Sequence, residues 1–419
     1  MTPAPLGPSF ANIFTANLAS SLGDGIARIA IPLLAARLTE DPLLVSLISA
    51  LMLLPWLFFA IPAGILIDRI DRRVALALAQ AVRTLLGVAL FVLVLTDALT
   101  IWWLYVVIFL YGTFETVYDG AIRAVVPSVV GRADLPRANS RIEGAEQVVQ
   151  NFVSGPLTSA LFALSALIPL GLNGLAFALA GALALLLPKV ASGRQFAEAG
   201  DAAPWYRQFA DGLRFLRGHR MLRTLWLFST AIGLLHSAAV ASFVLFVLDR
   251  LGVPEALFGV FMLSGAAGGL VGAVFANRLK TTFGTGMTMA LMNLLSVLAL
   301  VFIGLVPQVW STATGYFLTA FGVTVWNVLV MSLRQTMIPG RLLGRVHGTW
   351  RTLLWGTMPL GALLGGLLGR VDLALPFLVG GGVATVLTLV FFRFLTTLPN
   401  PEDVEPPPEA GPTEPATRE

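Results

Sequence analysis

The side chains that could do chemistry in this chain are charged and polar groups set inside long apolar runs. Asp24 stands between Gly23 and Gly25 with Arg28 one helical turn on, and Glu115 and Asp119 are one turn apart with Arg123 one turn beyond. Glu143, Glu146, Gln147 and Gln150 fall roughly on one helical face, with Asn151 beside it. A charge at mid-span costs about 2.5–3.5 kcal/mol on insertion scales, so each embedded one is a candidate for function. Burial disfavours the charged form of a carboxyl and so lets it exchange protons near neutral pH. Asp24, Glu115, Asp119 and Glu146 are therefore candidate proton carriers. His236 joins them because an unperturbed imidazole titrates near about 6.5.

Each candidate also has a plainer reading. Asp24 could simply pair with Arg28 along its own helix, Asp119 could anchor a helix end through Arg123, and a lone histidine such as His236 could be merely hydrogen-bonded. Glu143 is shallow enough to pack against charged helix ends. Arg28, Gln150, Asn151, Trp326, Asn327 and Arg351 are candidates for lining a substrate cavity, Arg351 as a partner for an anionic substrate or a first-half acid. The embedded acids lie in the first half, whereas Asp249, Glu255 and Asp372 stand near span ends in the second. A carboxylate relay would thus belong to the first half.

The elements that must position these groups follow from composition. With 57% hydrophobic and 12% charged residues and a mean hydropathy of +0.83, the chain cannot hide its apolar surface in a water-soluble core. Apolar runs of about 20 residues predict membrane-spanning helices rather than a barrel. Spans are expected near 10–36, 43–66, 74–96, 101–122, 141–165, 168–187, 222–248, 256–277, 284–305, 309–333, 343–369 and 373–395, twelve in all. Their alternation puts Arg69, Arg72, Arg73, Arg123, Arg132, Arg137, Arg141, Lys189 through Arg223, Arg278, Lys280, Arg334, Arg341, Arg345 and Arg393 on one side, and only Arg37, Arg250 and Arg370 on the other. The arginine-rich side is the cytoplasmic one by the positive-inside rule, and it carries both termini.

The longest polar interruption divides the chain into an N-terminal six-helix bundle (1–187), a cytoplasmic linker (188–221) and a C-terminal six-helix bundle (222–396). A Pro- and Glu-rich tail (397–419) is expected to be disordered. Within the linker Trp205, Phe209, Leu213 and Leu216 recur at helical spacing beside Arg207, Arg214, Arg217 and Arg220, predicting a basic amphipathic helix on the inner leaflet. There are no cysteines, and His219, His236 and His347 are too dispersed for a metal site. No glycine loop of the Gly-x-Lys-Ser/Thr kind is present to bind ATP. Neither a cofactor nor a metal is expected, and no enzyme activity. The basic residues track the membrane and not a nucleic acid.

Gly64-Ile-Leu-Ile-Asp68-Arg69-Ile-Asp71-Arg72-Arg73 is a charged knot between two apolar runs. It resembles the signature loop between the second and third helices of the major facilitator superfamily, the large family of secondary transporters. Arg123-Ala-Val-Val-Pro127 through Arg132, Leu135 and Ala138-Asn139 resembles the exporter branch typified by siderophore (enterobactin-type) and macrolide efflux proteins. So do Leu333-Arg334-Gln335, Gly344-Arg345-Val346 and Pro359-Leu360-Gly361. The Gly-Pro-rich motif of helix five is reduced to Gly155-Pro156, and Glu115 and Asp119 stand where many drug antiporters carry a helix-four arginine.

The resemblance implies an all-α integral membrane fold of twelve helices in two pseudo-repeated bundles. It implies export of a hydrophobic or amphiphilic small molecule driven by inward proton flow, in a monomer surrounded by lipid in the cell membrane. It also assigns Gly64, Asp68, Arg69, Arg72 and Arg73 to a gate, with Asp68 meeting the second half near Gly344 to Gly348. The alternatives are a proton-coupled or facilitative importer of a small solute, and a non-transporting receptor or scaffold.

Overall fold

The computed structural model describes residues 6–131, 134–188 and 205–404. Every regular element in them is helical: α1 Pro8–Leu38, α2 Pro42–Arg69, α3 Arg72–Leu95, α4 Ile101–Val129, α5 Leu135–Val148, α6 Ser154–Leu164, α7 Leu167–Leu185, α8 Trp205–Gly218, α9 Arg220–Val240, α10 Phe243–Leu245, α11 Glu255–Phe283, α12 Thr285–Leu305, α13 Val309–Met337, α14 Gly340–Gly369 and α15 Leu375–Thr396. Two π turns, Val149–Val153 and Phe246–Arg250, follow α5 and α10.

Among the described residues ten helices are long and apolar enough to cross a membrane, eleven if α9 and the segment Phe243–Arg250, bent by 40° from it, form one span. The expected span at 141–165 is absent from that count because the π turn Val149–Val153 divides it into α5, of 14 residues, and α6, of 11, each too short to cross alone. Its backbone stays right-handed helical through the π turn into α6.

Helices end where local chemistry stops them. Asp71 caps α3 by accepting the Arg73 amide at 3.0 Å, and Gly284, at φ 78°, ends α11 and opens α12. Several helices outrun their apolar stretches. α4 continues through Pro127 to Val129 and α13 reaches Met337, so residues expected in loops, Arg123 and Arg334 among them, stand on helices.

The helices pack in two groups. In the first, α1 lies against α4, α6 and α7, α3 against α4 and α7, and α2 against α4. In the second, α9 packs on α14 and α15, α12 on α13 and α15, and α11 on α13. The halves meet along α2 with α14 and α6 with α11. At the latter crossing Gly155 and Gly259 bring the backbones together, and the Gly259 amide donates to Ser159 Oγ at 2.7 Å. Small residues at such crossings let backbones approach where no hydrophobic force drives helices together. Gly155 is thus the surviving part of the helix-five motif, and it touches the opposite half. Outward faces carry exposed Leu85, Val386 and Val390, with Trp102, Trp103 and Trp310 at helix starts, as lipid contact and interfacial anchoring require.

The linker helix α8 is docked on protein: Arg345 Nη1 donates to Asp211 Oδ2 at 2.9 Å, Thr349 Oγ1 to the Phe209 carbonyl at 3.3 Å, and Leu216 is fully buried. Its apolar face therefore does not lie wholly on lipid. The remaining linker, 189–204, lies outside the described residues, as does 405–419 of the tail. Residues 397–404, expected in a disordered tail, are held instead. Asn400 Oδ1 accepts the Thr285 amide at 2.8 Å and Lys280 Nζ donates to Glu402 at 2.6 Å.

Candidate functional site

A cavity of about 370 Å³ lies between the halves, walled by α1, α2, α4 and α14. Asp24, Arg28, Glu115, Asp119, Arg123 and Arg351 all line it, so the structure brings most of the expected embedded charges together. The acids come from α1 and α4, while α14 contributes Arg351, its guanidinium 4.2 Å from the ring centre of Trp355 and 5.4 Å from that of Trp56.

Asp24 is 8% exposed. Its partner is not Arg28, which faces the cavity, but Arg83 of α3, whose guanidinium donates to Asp24 Oδ1. Tyr111 Oη donates to the same oxygen at 3.3 Å and Ser20 Oγ donates to Oδ2 at 3.5 Å. Arg83 is fully buried, with Phe177 and Tyr111 rings 4.1 and 4.5 Å from its guanidinium carbon. Gln80 Nε2 donates to Ser20 Oγ at 2.8 Å. The pair is held from every side by first-half residues. Gly23 and Gly25 allow this by letting α1 press against Phe177 and Ser154. Asn173 Nδ2 donates to the Gly23 carbonyl at 2.7 Å.

Arg83, Tyr111, Ser20 and Gln80 were not among the expected site residues. Arg83 is nevertheless an arginine in the middle of the apolar run 74–96, and the rule that singled out Asp24 applies to it equally.

Asp119 makes no ion pair with Arg123 among the described residues. Both line the central cavity and a second one of about 280 Å³ that also contains Asn17, Glu143 and Glu146. Glu146 accepts from Gln150 Nε2 at 3.4 Å, and Asn151 Nδ2 donates to Gln147 at 2.6 Å. Gln150 and Asn151 sit on the π turn and line neither of these cavities.

His236, Trp326, Asn327 and Arg351 line a third cavity, of about 320 Å³, within the second half. His236 has no hydrogen-bond partner among the described residues. Arg334 and Trp350 line this cavity too. Arg351 and Trp355 belong to both it and the central cavity, so the two adjoin.

In the charged knot, Arg72 Nη1 donates to the Ala124 carbonyl at 2.9 Å. Arg73 clasps Asp71 at 3.2 and 2.9 Å and donates to the Leu187 carbonyl at 3.0 Å. These bonds lie within the first half. The side chains of Gly64, Asp68 and Arg69 lie outside the described residues. A Cβ at Gly344 or Gly348 would meet no described atom within 4 Å.

A family model described as "Transmembrane secretion effector" matches residues 2–417. The chain is 23% identical to macrolide efflux protein A of Streptococcus pyogenes over 397 residues, covering 91% of this chain and 94% of that one. It is 25% identical to the enterobactin exporter EntS of Shigella boydii over 380 residues, 86% and 85% of the two chains. To the multidrug efflux pump Tap of Mycobacterium tuberculosis it is 26% identical over 402 residues, 90% and 93%. Its fold matches the nucleoside transporter NupG with a TM-score of 0.72 at 14% identity over 93% of this chain and 100% of that one. It matches a bacterial homologue of the iron transporter ferroportin in an inward-facing state with 0.73 at 16%, over 94% and 100%. A multi-pass helical chain whose two packed halves enclose a charged cavity, matched by that model over almost its whole length, belongs to the transmembrane secretion effector family, within the major facilitator superfamily of transporters.

Proposed function

We propose that this transporter exports a hydrophobic or amphiphilic small molecule, such as a drug, macrolide or siderophore-like compound, in exchange for protons moving inward. The relatives named as efflux proteins support the direction. The observation that carries the coupling is the Asp24 carboxylate, at the wall of the central cavity and bound to Arg83. In the state with the inner side open, Asp24 is ionised and held by Arg83. A proton arriving from the outer side neutralises the carboxyl and frees the guanidinium, and the pair re-forms when the proton leaves inward. Ionised, the pair is held by Ser20 and Tyr111; protonation would release Arg83 to a second arrangement and so bias a rocking of the halves.

In this reading twelve spans alternate between two states, α5 and α6 forming one of them, and both termini are cytoplasmic. Asp68 closes the inner side against the start of α14, a carboxylate beside helix N-terminal amides being favoured by the dipole. Glu115, Asp119 and Glu146 form the remainder of the proton path.

The deciding experiment is recovery of acidification quench in inverted vesicles with a panel of amphiphilic drugs and siderophores, wild type beside Asp24→Asn. Compound-induced proton release in wild type, lost in the variant, is expected. Labelled substrate that equilibrates without moving protons would make the protein a facilitator or importer. An unchanged phenotype with no flux would make it a receptor or scaffold.

A further inference from the structure

We propose that the second-half cavity recognises the anionic end of an amphiphile, with Arg334 as its anchor and Arg351 at its mouth. The inference deepens the transport reading and rests on it for the amphiphile.

Arg334 is 5% exposed, and its Nε is buried without a partner. Its guanidinium carbon lies 4.5 Å from the ring centre of Trp350, and Nη2 meets only Nδ1 of His347. No carboxylate lines this cavity, and no described acid pairs with Arg334 or Arg351. The described acids of the second half stand elsewhere, at Asp249, Glu255 and Asp372 and at Glu402 and Asp403. Arg83 provides the contrast, equally buried but matched by Asp24.

A buried charge with no counter-ion is costly, and a guanidinium fork is shaped to bind a planar anion through two parallel hydrogen bonds. The free Nε of Arg334 supplies such a donor. Around it the wall is apolar and aromatic, including Trp326, Leu300, Met358 and Trp355. The ligand that fits has one carboxylate, sulfonate or phosphate on an apolar or aromatic body. The first-half wall sets Arg28 and Arg123 beside Glu115 and Asp119 and pairs Asp24 with Arg83, so its charges are matched, whereas Arg334 and Arg351 have no acid partner among the described residues and direct the anionic end into the second half. A purely cationic amphiphile has no such anchor here.

The test is titration calorimetry of the purified full chain in a neutral maltoside detergent with three probes of one shape: 1-naphthoate, 1-naphthamide and 1-naphthylmethylamine. Charge-assisted hydrogen bonds imply that naphthoate binds about tenfold or more tightly than the other two. Arg334→Gln should remove that preference and leave the amide's affinity unchanged, and Arg334→Lys should retain part of it. Equal affinities for the three probes in wild type, binding by none of them, or a preference that survives Arg334→Gln would overturn the proposal. Because the wild-type series decides by itself, a poorly folded variant does not rescue the idea. The transport reading fails separately. A naphthoate preference with no proton-coupled flux would overturn antiport and leave this site standing, whereas flux without charge preference would do the reverse.

Discussion

Arg37 at the end of α1 clasps Glu255 at the start of α11 through two hydrogen bonds, Nε to Oε1 at 3.0 Å and Nη2 to Oε2 at 2.5 Å. A second fork repeats the arrangement where α14 ends, Arg370 donating to Asp41 before α2 at 2.8 and 2.6 Å. Both pairs join the halves on the expected outer face. That face carries only three expected arginines, and two of them are engaged in cross-half bridges. The α2–α14 crossing is tight beside them, with Gly366 packed on Leu43 and Ser46. The face expected to be outer is therefore held shut by paired charges over close-packed helices.

Arg37→Gln should loosen that closure modestly. Arg37 is partly exposed, and an exposed pair contributes about 0.2–1 kcal/mol, so the open population should rise less than about fivefold. Because the chain has no cysteine, spin labels at Leu38→Cys and Leu257→Cys report one distance on an otherwise unlabelled molecule. A longer-distance component that grows in the variant is expected. An unchanged distribution would show that helix packing alone holds the face closed.

Acid should act on the same face through Asp41. The Arg370 guanidinium, helped by the Leu43 amide, holds the Asp41 carboxyl below the usual carboxylate range. The closed state thus binds fewer protons than a state in which the carboxyl is free. Its advantage is full above the free value, about 3.9, and is lost as pH falls through the lowered one. The same spin-label pair should show no change from neutrality to about pH 5 and opening only below about pH 4. Asp41→Asn should raise the open population at neutrality and blunt the acid response, the Arg37–Glu255 fork remaining, and a wild-type transition near neutrality would rule Asp41 out as the sensor.

The buried pair beneath the cavity predicts a non-additive stability cycle. Removing one partner of a buried ion pair costs about 3–5 kcal/mol, because the other charge is left uncompensated. Asp24→Asn and Arg83→Gln should each lower the thermal midpoint in detergent, and the double variant should fall by less than the sum of the two. Strict additivity would mean that Arg83 is stabilised by Phe177 and Tyr111 and not by Asp24.

The spans were legible because apolar runs of membrane length have few other uses, and most edges agree to within a few residues. Where helices outran their apolar runs, hydropathy misplaced the charges. Arg334 reads as a loop arginine after a run ending at 333, yet α13 continues to Met337 and carries it into the second-half cavity. Asp24 was found by its depth, but its partner stands 59 residues away on α3, and i,i+4 spacing pointed to Arg28 instead. Arg83 itself is readable as an arginine in the middle of the run 74–96, but nothing in its spacing ties it to Asp24. The docking of α8 and of residues 397–404 was not readable: both rest on contacts with residues distant in sequence, among them Arg345 with Asp211 and Asn400 with Thr285, that leave no periodic trace.

Gly259 offers a way to open the outer face by packing alone. Its backbone touches that of Gly155 across the α6–α11 crossing, and an added Cβ would collide with the Gly155 carbonyl. Backbone atoms cannot step aside as a flexible side chain can, so Gly259→Ala must push the two helices apart or lose the Ser159 hydrogen bond. Overpacking of this kind costs about 1–3 kcal/mol, and the cost falls only on the closed state. Wherever the helices separate in the transport cycle, the extra methyl group is tolerated. Gly259→Ala should therefore lengthen the Leu38→Cys to Leu257→Cys distance more than Arg37→Gln does. It should slow transport by trapping the outward-open state, and leave naphthoate binding within the second half intact. An unaltered distance would mean that α6 and α11 stay packed throughout the cycle, and the hinge between the halves would then lie at this crossing.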